Sequence, residues 1–245
     1  MLILVSIDDT DDLESKGTGE LAEEIAAEIK KRSWGHTSGI TRHQLYVHPD
    51  IPYTSHNSAM CFEADIQQKY FSEIIAYSAQ FLARESAPAS DPGLCVVDIE
   101  ALYDRSAFIS FGRRAKGEVI TKDEAYKTAL SHGVHLSEHG GTGQGVIGAL
   151  AGAGLRLGGN DGRFKGKISL KDAAATMTVR ELMSCTPIEE VHNIEGEQIN
   201  PADVISIDSE MKTVLLGHRQ VLLVRPAEHA KARWTPATKQ QLKRF

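Results

Sequence analysis

The chain has 245 residues, of which 41% are hydrophobic and 24% charged, with 21 Gly and 8 Pro. This composition is typical of one large or two small folded domains and excludes a disordered or collagen-like chain. The net charge of −6 gives no global attraction to nucleic acid or anionic membranes, so any nucleic-acid contact needs a local basic patch.

Cysteine content and hydropathy indicate the cellular environment. Three cysteines, Cys61, Cys95 and Cys185, are too few and too scattered for a disulfide framework or a zinc knuckle. The first apolar run is too short for a signal peptide, and no stretch of about 18 apolar residues occurs. We therefore expect a soluble cytoplasmic protein with no membrane partner.

The first hundred residues alternate between strand-like and helix-like patterns. Strands are predicted at 2–7, 40–47, 58–65 and 94–99, and helices at 19–32 and 67–84. The order β-α-β-β-α-β is typical of a ferredoxin-like unit.

The pattern changes after residue 100. Thr121 is predicted to cap a helix that runs to about His132. A short helix over 146–153 and a mobile loop over 158–166 are expected in the following glycine-rich stretch. Four β-like runs then predict a small antiparallel region: 188–191, 204–207, 213–216 and 220–224. The fold class is α+β.

These patterns suggest three segments. We expect a nucleotide-binding region over 1–165, a β-rich domain over 166–226 and a basic tail over 227–245. From Arg225 onward the chain carries six Lys or Arg residues and one Glu.

An acidic loop follows the first strand directly and contains Asp8, Asp9, Asp11 and Asp12. Carboxylates this close repel one another unless a cation lies among them, and hard oxygen ligands suit Mg²⁺. Gly17-Thr18-Gly19 follows at the start of a predicted helix, where exposed N–H groups bind phosphate. The pattern fits a metal–nucleotide site, with Asp8, Asp9 and Asp11 as metal ligands. It fits equally a solvated turn in which Asp12 or Thr18 caps the helix.

A second glycine motif, G-x-G-x-x-G, occupies 143–148. A dinucleotide-binding interpretation requires a preceding strand, and the residues before the motif predict none. Two roles stay open for Gly143 and Gly145, either contact with a nucleotide or close helix packing.

Polar side chains elsewhere provide two further hypotheses. His132, His135 and His139 have spacings that would place them on one helix face as a zinc site, with solvent-facing histidines as the alternative. The loop between the second and third strands carries polar residues that would contact a substrate or form a plain connection: Tyr53, Thr54, His56 and Asn57.

Taken together, four motifs resemble the archaeal isoleucine-tRNA agmatinylcytidine synthetase family over about residues 1–157. In chain order they are IDDTDD with Lys16-Gly17, HPDIPYTSHNSA at 48–59, Asp91-Pro92-Gly93, and GQGVIGALAGAG at 143–154. The resemblance implies a kinase-like part combined with a ferredoxin-like domain. It also implies activation of a cytidine carbonyl by ATP, followed by displacement by agmatine.

The resemblance also has departures. The family's threonine-rich segment, which carries a catalytic threonine, aligns with Thr18-Gly19-Glu20-Leu21, so that Thr18 is the nearest candidate. The cysteine pairs of the family's zinc ribbon do not occur here.

We therefore expect an ATP- and Mg²⁺-dependent transferase or ligase that acts on a polar small-molecule or nucleotide-like acceptor. The predicted site residues are Asp8, Asp9, Asp11, Asp12 and Thr18 for catalysis, Gly17, Gly19, Gly143 and Gly145 for the nucleotide, and Tyr53, Thr54, His56 and Asn57 for the substrate. The alternative is a nucleotide- or nucleic-acid-binding protein that kept the fold without the chemistry. A dehalogenase-like phosphatase is rejected, because Leu13 stands where that motif needs Thr or Val. Tight tRNA binding is not expected.

Overall fold

The computed structural model describes residues 1–51, 56–170, 175–207, 210–228 and 231–245. The chain divides into two compact units, Met1–Gly158 and Gly159–Phe245. In the described part of the chain, no helix has the length and apolar character needed to cross a membrane.

The first unit is built on an antiparallel sheet with β1 near its centre. Its strands are β1 (Leu2–Asp8), β2 (Gly35–Thr37), β3 (Thr41–Gln44), β4 (Ser58–Ile66), β5 (Gly93–Asp98) and β6 (His135–Glu138). The order is β6-β5-β1-β4, and both β2 and β3 pair with β4. This topology confirms the predicted βαββαβ unit, in which the second strand is split into two short pieces.

Helices pack on both faces of this sheet. They are α1 (Thr18–Lys31), α2 (Phe71–Glu85), α3 (Arg105–Arg114), α4 (Lys122–His132) and α5 (Gly145–Gly158), with a 3₁₀ turn at Gln68–Tyr70. Ile3, Val5 and Ile7 share a core with α1 and α2, whereas Leu4 belongs to a core with α3, α4 and α5. Burial on both faces explains why β1 begins with four consecutive apolar residues rather than with an alternating pattern.

Helix α5 packs closely against its neighbours through the backbone of its glycines. A Cβ at position 154 would lie 2.7 Å from the carbonyl oxygen of Phe108, and one at position 152 would lie 2.6 Å from Ser6 Oγ. Only glycine allows α3 and the sheet to approach this closely. The helix was predicted to end at residue 153, but it extends to Gly158.

The second unit is a mixed β structure with one short helix. It contains β7 (Arg163–Phe164), β8 (Thr176–Thr178), α6 (Val179–Cys185), β9 (Glu190–Asn193), β10 (Val204–Ser206), β11 (Val214–Leu216), β12 (Arg219–Pro226), β13 (Trp234–Pro236) and a 3₁₀ turn at Gln241–Arg244. The prediction of an antiparallel region was wrong for two pairs, because β9 runs parallel to β12 and β10 runs parallel to β13. The capping box between Thr178 and Glu181 starts α6, which the sequence interpretation missed.

Two segments have more structure than the sequence suggested. The predicted mobile loop over 158–166 contains β7, whose Phe164 is buried. Residues 227–245, set apart above as a basic tail, contribute β13 and two buried side chains, Leu242 and Phe245.

Candidate functional site

The acidic loop begins where β1 ends against the start of α5. The Asp8 side chain is buried, and its carboxylate occupies the space that a side chain at position 148 would need. Burial, together with the charge of Asp9 and a smaller effect of Asp11, raises the pKa of Asp8 to about 8. Gly148 is therefore required to admit a carboxylate at this depth.

Asp9 turns the chain out of the sheet. Its φ of 52° is in the left-handed region, which Asp tolerates better than most residues. Burial raises the pKa of its carboxyl to about 6, with further contributions from Asp91 and Asp11. Asp8 and Asp9 thus experience a local negative field that would favour a bound cation.

Asp91 is a third carboxylate of this group, and the sequence analysis assigned it no role. Thr142 donates to it through both its backbone N–H and its hydroxyl. Burial tends to raise the pKa of Asp91. The hydrogen bonds from Thr142, together with those from the backbone N–H groups of Gln144 and Gly143, outweigh this effect and lower it.

The second glycine motif therefore binds an anion from within the chain. Gly141 and Gly143 have φ values of 54° and 77°, which direct the loop's N–H groups at Asp91. Gly145 donates its N–H to the Asp91 carbonyl at 3.1 Å. The start of α5 is thus already occupied by a carboxylate.

The start of α1 is arranged differently. Its N-cap residue, Gly17, has an extended backbone and no side-chain cap. The Thr18 hydroxyl donates to Asp11 Oδ1 at 2.7 Å and accepts from the Thr10 hydroxyl at 3.1 Å. The structure therefore brings Asp11 and Thr18 together at a helix N-terminus whose N-cap residue provides no side-chain acceptor.

Asp12 does not join the other carboxylates through its hydrogen bonds. Its Oδ1 accepts from the backbone N–H groups of Glu14 at 3.0 Å and Ser15 at 2.9 Å. These bonds, with that from Glu14 the largest effect, lower the pKa of Asp12. Its observed role is that of a turn residue.

These carboxylates are the right chemical groups for a divalent cation, but they are not arranged as a complete coordination shell. Mutual repulsion among Asp8, Asp9, Asp11 and Asp91 is the field that a cation would relieve. Within the described residues, however, no three His, Cys, Asp or Glu side chains converge as a ready metal site. A bound Mg²⁺ would therefore need water or phosphate oxygens to complete its shell, as is usual for this ion.

The predicted substrate loop is placed at the same end of the sheet. Ile7 pairs with Met60, so the residues preceding Ser58 lie level with Asp9. Asn57 donates its side-chain N–H to the Tyr46 carbonyl at 2.6 Å and so holds the base of the hairpin. His56 is exposed beside it. Tyr53 and Thr54 lie outside the described residues.

The histidine hypothesis requires a correction. His132 ends α4, but His135 lies in β6 and His139 follows that strand, so the three do not share a helix face. The polar sequence HLSE concealed the strand, which also means that a strand does precede the second glycine motif. Because β6 runs antiparallel to β5, the unit is still not the βαβ unit of dinucleotide-binding folds.

Known proteins that are similar to this chain include a curated protein and solved structures. A curated protein of Methanocaldococcus jannaschii, itself described as uncharacterised, is 30% identical over 156 residues, which is 62% of this chain and 49% of the relative. The crystal structure of TiaS in complex with an isoleucine tRNA and ATP aligns with 26% identity and a TM-score of 0.54 over 63% of this chain and 36% of the TiaS chain. Apo TiaS, a tRNA agmatidine synthetase, aligns with 25% identity and a TM-score of 0.53 over 63% of this chain and 35% of its own. This chain is similar to TiaS.

The TiaS resemblance predicted from the four motifs is thus confirmed. No family model matches the chain. The chain spans about half of the curated relative's length, at 49%, and 35–36% of the TiaS chains. What TiaS binds and modifies therefore enters only as a proposal for this protein.

Proposed function

We propose that this protein is an ATP- and Mg²⁺-dependent transferase or ligase that activates a polar, nucleotide-like acceptor. The observation that carries the proposal is the electrostatic coupling of Asp9 to Asp8, Asp11 and Asp91, together with the hydrogen bond from Thr18 at the start of α1 to Asp11. Similarity to a TiaS chain crystallised with ATP supports nucleotide binding.

Each element of the site has a separate role in this proposal. Asp9 and Asp11 supply oxygen ligands to Mg²⁺, whose charge offsets that of the phosphates. Asp8, whose pKa is raised to about 8, would ionise when the cation binds and would then add negative charge from its buried position. The backbone at Gly17, Thr18 and Gly19 contacts phosphate oxygens at the positive end of α1.

The second glycine motif acts indirectly in the proposed mechanism. Gly143 and Gly145 were predicted to contact the nucleotide, but their loop hydrogen bonds to Asp91. We assign them the role of fixing the Asp91 carboxylate next to Asp9.

The Thr18 hydroxyl is the reacting group that an enzyme would use, as the family resemblance implies. It donates to the Asp11 carboxylate at 2.7 Å, which would accept its proton. Thr142 makes the same contact with Asp91 in a structural role, so turnover has to separate an enzyme from a sensor. The acceptor would approach from the hairpin base at His56 and Asn57, with Tyr53 and Thr54 as predicted contacts.

Calorimetric titration with ATP, with and without Mg²⁺, tests nucleotide binding. Wild type should bind ATP only weakly without Mg²⁺, because the carboxylates repel the phosphates. Asp9→Asn should weaken Mg²⁺-dependent binding at least about tenfold, the loss expected when a charge-assisted contact of roughly 1.4 kcal/mol is removed. Asp12→Asn is the matched control and should bind like wild type, because Asn retains the turn acceptor. No heat with wild type, or equal weakening by both variants, contradicts the proposal.

Turnover separates the enzyme from the alternative of a nucleotide sensor. The purified protein is incubated with ATP, Mg²⁺ and candidate acceptors, and AMP and ADP are quantified. An enzyme should release one of these products, and Thr18→Val should stop the release. Binding without release would favour the sensor.

Tight tRNA binding by this chain alone is not expected, since the net charge is −6. The test is a gel shift at about physiological salt. Deleting residues 227–245 would remove the buried Leu242 and Phe245, so the better probe replaces Lys239, Lys243 and Arg244 with Gln. Sub-micromolar binding that survives these changes would contradict the expectation.

A further inference from the structure

Two of the three histidines that were predicted to share a helix face, His135 and His139, contact the same oxygen atom. His135 Nε2 and His139 Nε2 each lie 2.9 Å from Ser137 Oγ. The two ring nitrogens are therefore within 5.8 Å of each other, since their separation cannot exceed the sum of these distances. The acidic loop does not explain this convergence.

The backbone of β6 fixes the pair. His135 and Ser137 are two residues apart in the strand and project from one face, and His139 continues the alternation. His135 pairs with Val96 and Ser137 with Leu94, and the N–H of His139 donates to the Pro92 carbonyl at 2.8 Å. All three positions are thus held by β5 and the residue that precedes it.

The environment keeps both rings in the form that binds metals. Burial lowers the pKa of His135, and burial together with the neighbouring His135 lowers that of His139. Both imidazoles are consequently neutral near pH 7, and neutral imidazole is the ligand form of histidine.

We propose that His135 and His139 bind a borderline transition-metal ion, such as Zn²⁺ or Cu²⁺, which takes the place of the Ser137 hydroxyl between the two Nε2 atoms. Imidazole nitrogen selects these ions, whereas carboxylate oxygen in the acidic loop selects Mg²⁺. The site is thus chemically distinct from the proposed nucleotide site. Two protein ligands leave room for water or a third group in the shell.

Metal binding requires a change of tautomer. A single Ser137 hydroxyl can donate to only one imidazole, so the other must donate its Nε2–H to the serine oxygen. The two rings therefore have opposite tautomers without metal. Metal coordination through both Nε2 atoms requires that both protons lie on Nδ1.

Electron paramagnetic resonance of the Cu²⁺-loaded wild-type protein tests the proposal without any mutation. At one equivalent of Cu²⁺ and neutral pH, superhyperfine splitting from two imidazole nitrogens is expected. A spectrum with no imidazole nitrogen overturns the proposal, as does one that is unchanged in the His135→Asn, His139→Asn double variant.

Zinc titration calorimetry measures affinity in matched variants. His135→Asn or His139→Asn should abolish the site. Ser137→Ala should retain Zn²⁺ affinity or raise it, because the metal replaces the serine hydroxyl on both Nε2 atoms. His132→Asn is the control, because that ring bonds to Ser131 and the Thr128 carbonyl instead. Equal Zn²⁺ affinity in the His135 variant and wild type would refute the proposal.

Discussion

A Gly-Thr-Gly triplet lies at the N-terminus of both α1 and α5, at 17–19 and 141–143. In both, a threonine hydroxyl donates to an aspartate, Thr18 to Asp11 and Thr142 to Asp91. At α5 the backbone N–H groups also converge on the carboxylate, whereas α1 lacks a side-chain cap. The same three residues thus build a filled anion site in one place and an open one in the other.

The largest expected difference between the two termini is steric. A Cβ at position 145 would lie 2.1 Å from the Asp91 carbonyl oxygen, whereas one at position 17 would have no neighbour closer than 3.9 Å. Gly145→Ala should therefore lower the free energy of unfolding by about 3 kcal/mol, as overpacking does. Gly17→Ala should cost less than about 1 kcal/mol. Urea unfolding measures both, and equal losses would remove the distinction.

The second difference is electrostatic. Asp91→Ala should cost about 2 kcal/mol of stability, because it leaves the N–H groups at the start of α5 without their charged acceptor. Asp11→Ala should cost less than about 1 kcal/mol, since loss of the hydrogen bond from Thr18 is offset by relief of the repulsion that Asp11 exerts on Asp8 and Asp9. Thermal unfolding of the two variants compares these losses. A larger loss of stability in Asp11→Ala than in Asp91→Ala would show that the start of α1 contributes more to folding than the start of α5.

A third test uses pH. The raised pKa values of Asp8 and Asp9, about 8 and about 6, mean that the folded state holds protons that the unfolded state releases. Without metal, the free energy of unfolding should therefore fall as the pH rises from about 4 to about 8. Mg²⁺ should stabilise the protein more at pH 8 than at pH 5, because it favours the ionised carboxylates.

Denaturant unfolding in EDTA at these two pH values checks the direction. Asp8→Asn should flatten the slope, since the largest shift belongs to Asp8. Greater stability at pH 8 than at pH 5 without metal would be inconsistent with carboxylates that repel one another.

The smallest expected difference between the two termini is that between their threonines. Thr18→Val and Thr142→Val should each cost about 1 kcal/mol, the value of one hydrogen bond. Product release from ATP should be lost only in Thr18→Val, because Thr142 serves only to hold Asp91. Stability and turnover are measured on both variants. Loss of product release in Thr142→Val but not in Thr18→Val would place the reacting hydroxyl at the start of α5.

Residues with strong local patterns were predictable from the sequence. Apolar runs and helical spacing gave β1, α1 and the βαββαβ order, and the acidic loop was recognisable from its charges alone. The polar strand β6 was missed because residues 135–138 show too little apolar character to indicate burial. Register, parallel pairing and the split second strand depend on contacts distant in sequence.

Within the site, the missed residue was Asp91. Its partner Thr142 is 51 positions away, and no local spacing links them. The sequence contains one signal, Asp91-Pro92-Gly93 directly before a strand. These residues belong to the family resemblance, but nothing in their local pattern indicates that Asp91 lies beside Asp9.

The glycines of α5 also bear on the order of folding. Four of them, at 145, 148, 152 and 154, each cost about 1 kcal/mol of intrinsic helix stability relative to alanine. This segment should therefore not form a helix until β1, β5 and α3 are in place to receive it. We expect a peptide of residues 143–158 to be a random coil by circular dichroism. The Asp91 contact would then form only when α5 docks, and the proposed nucleotide site would be completed at the same point.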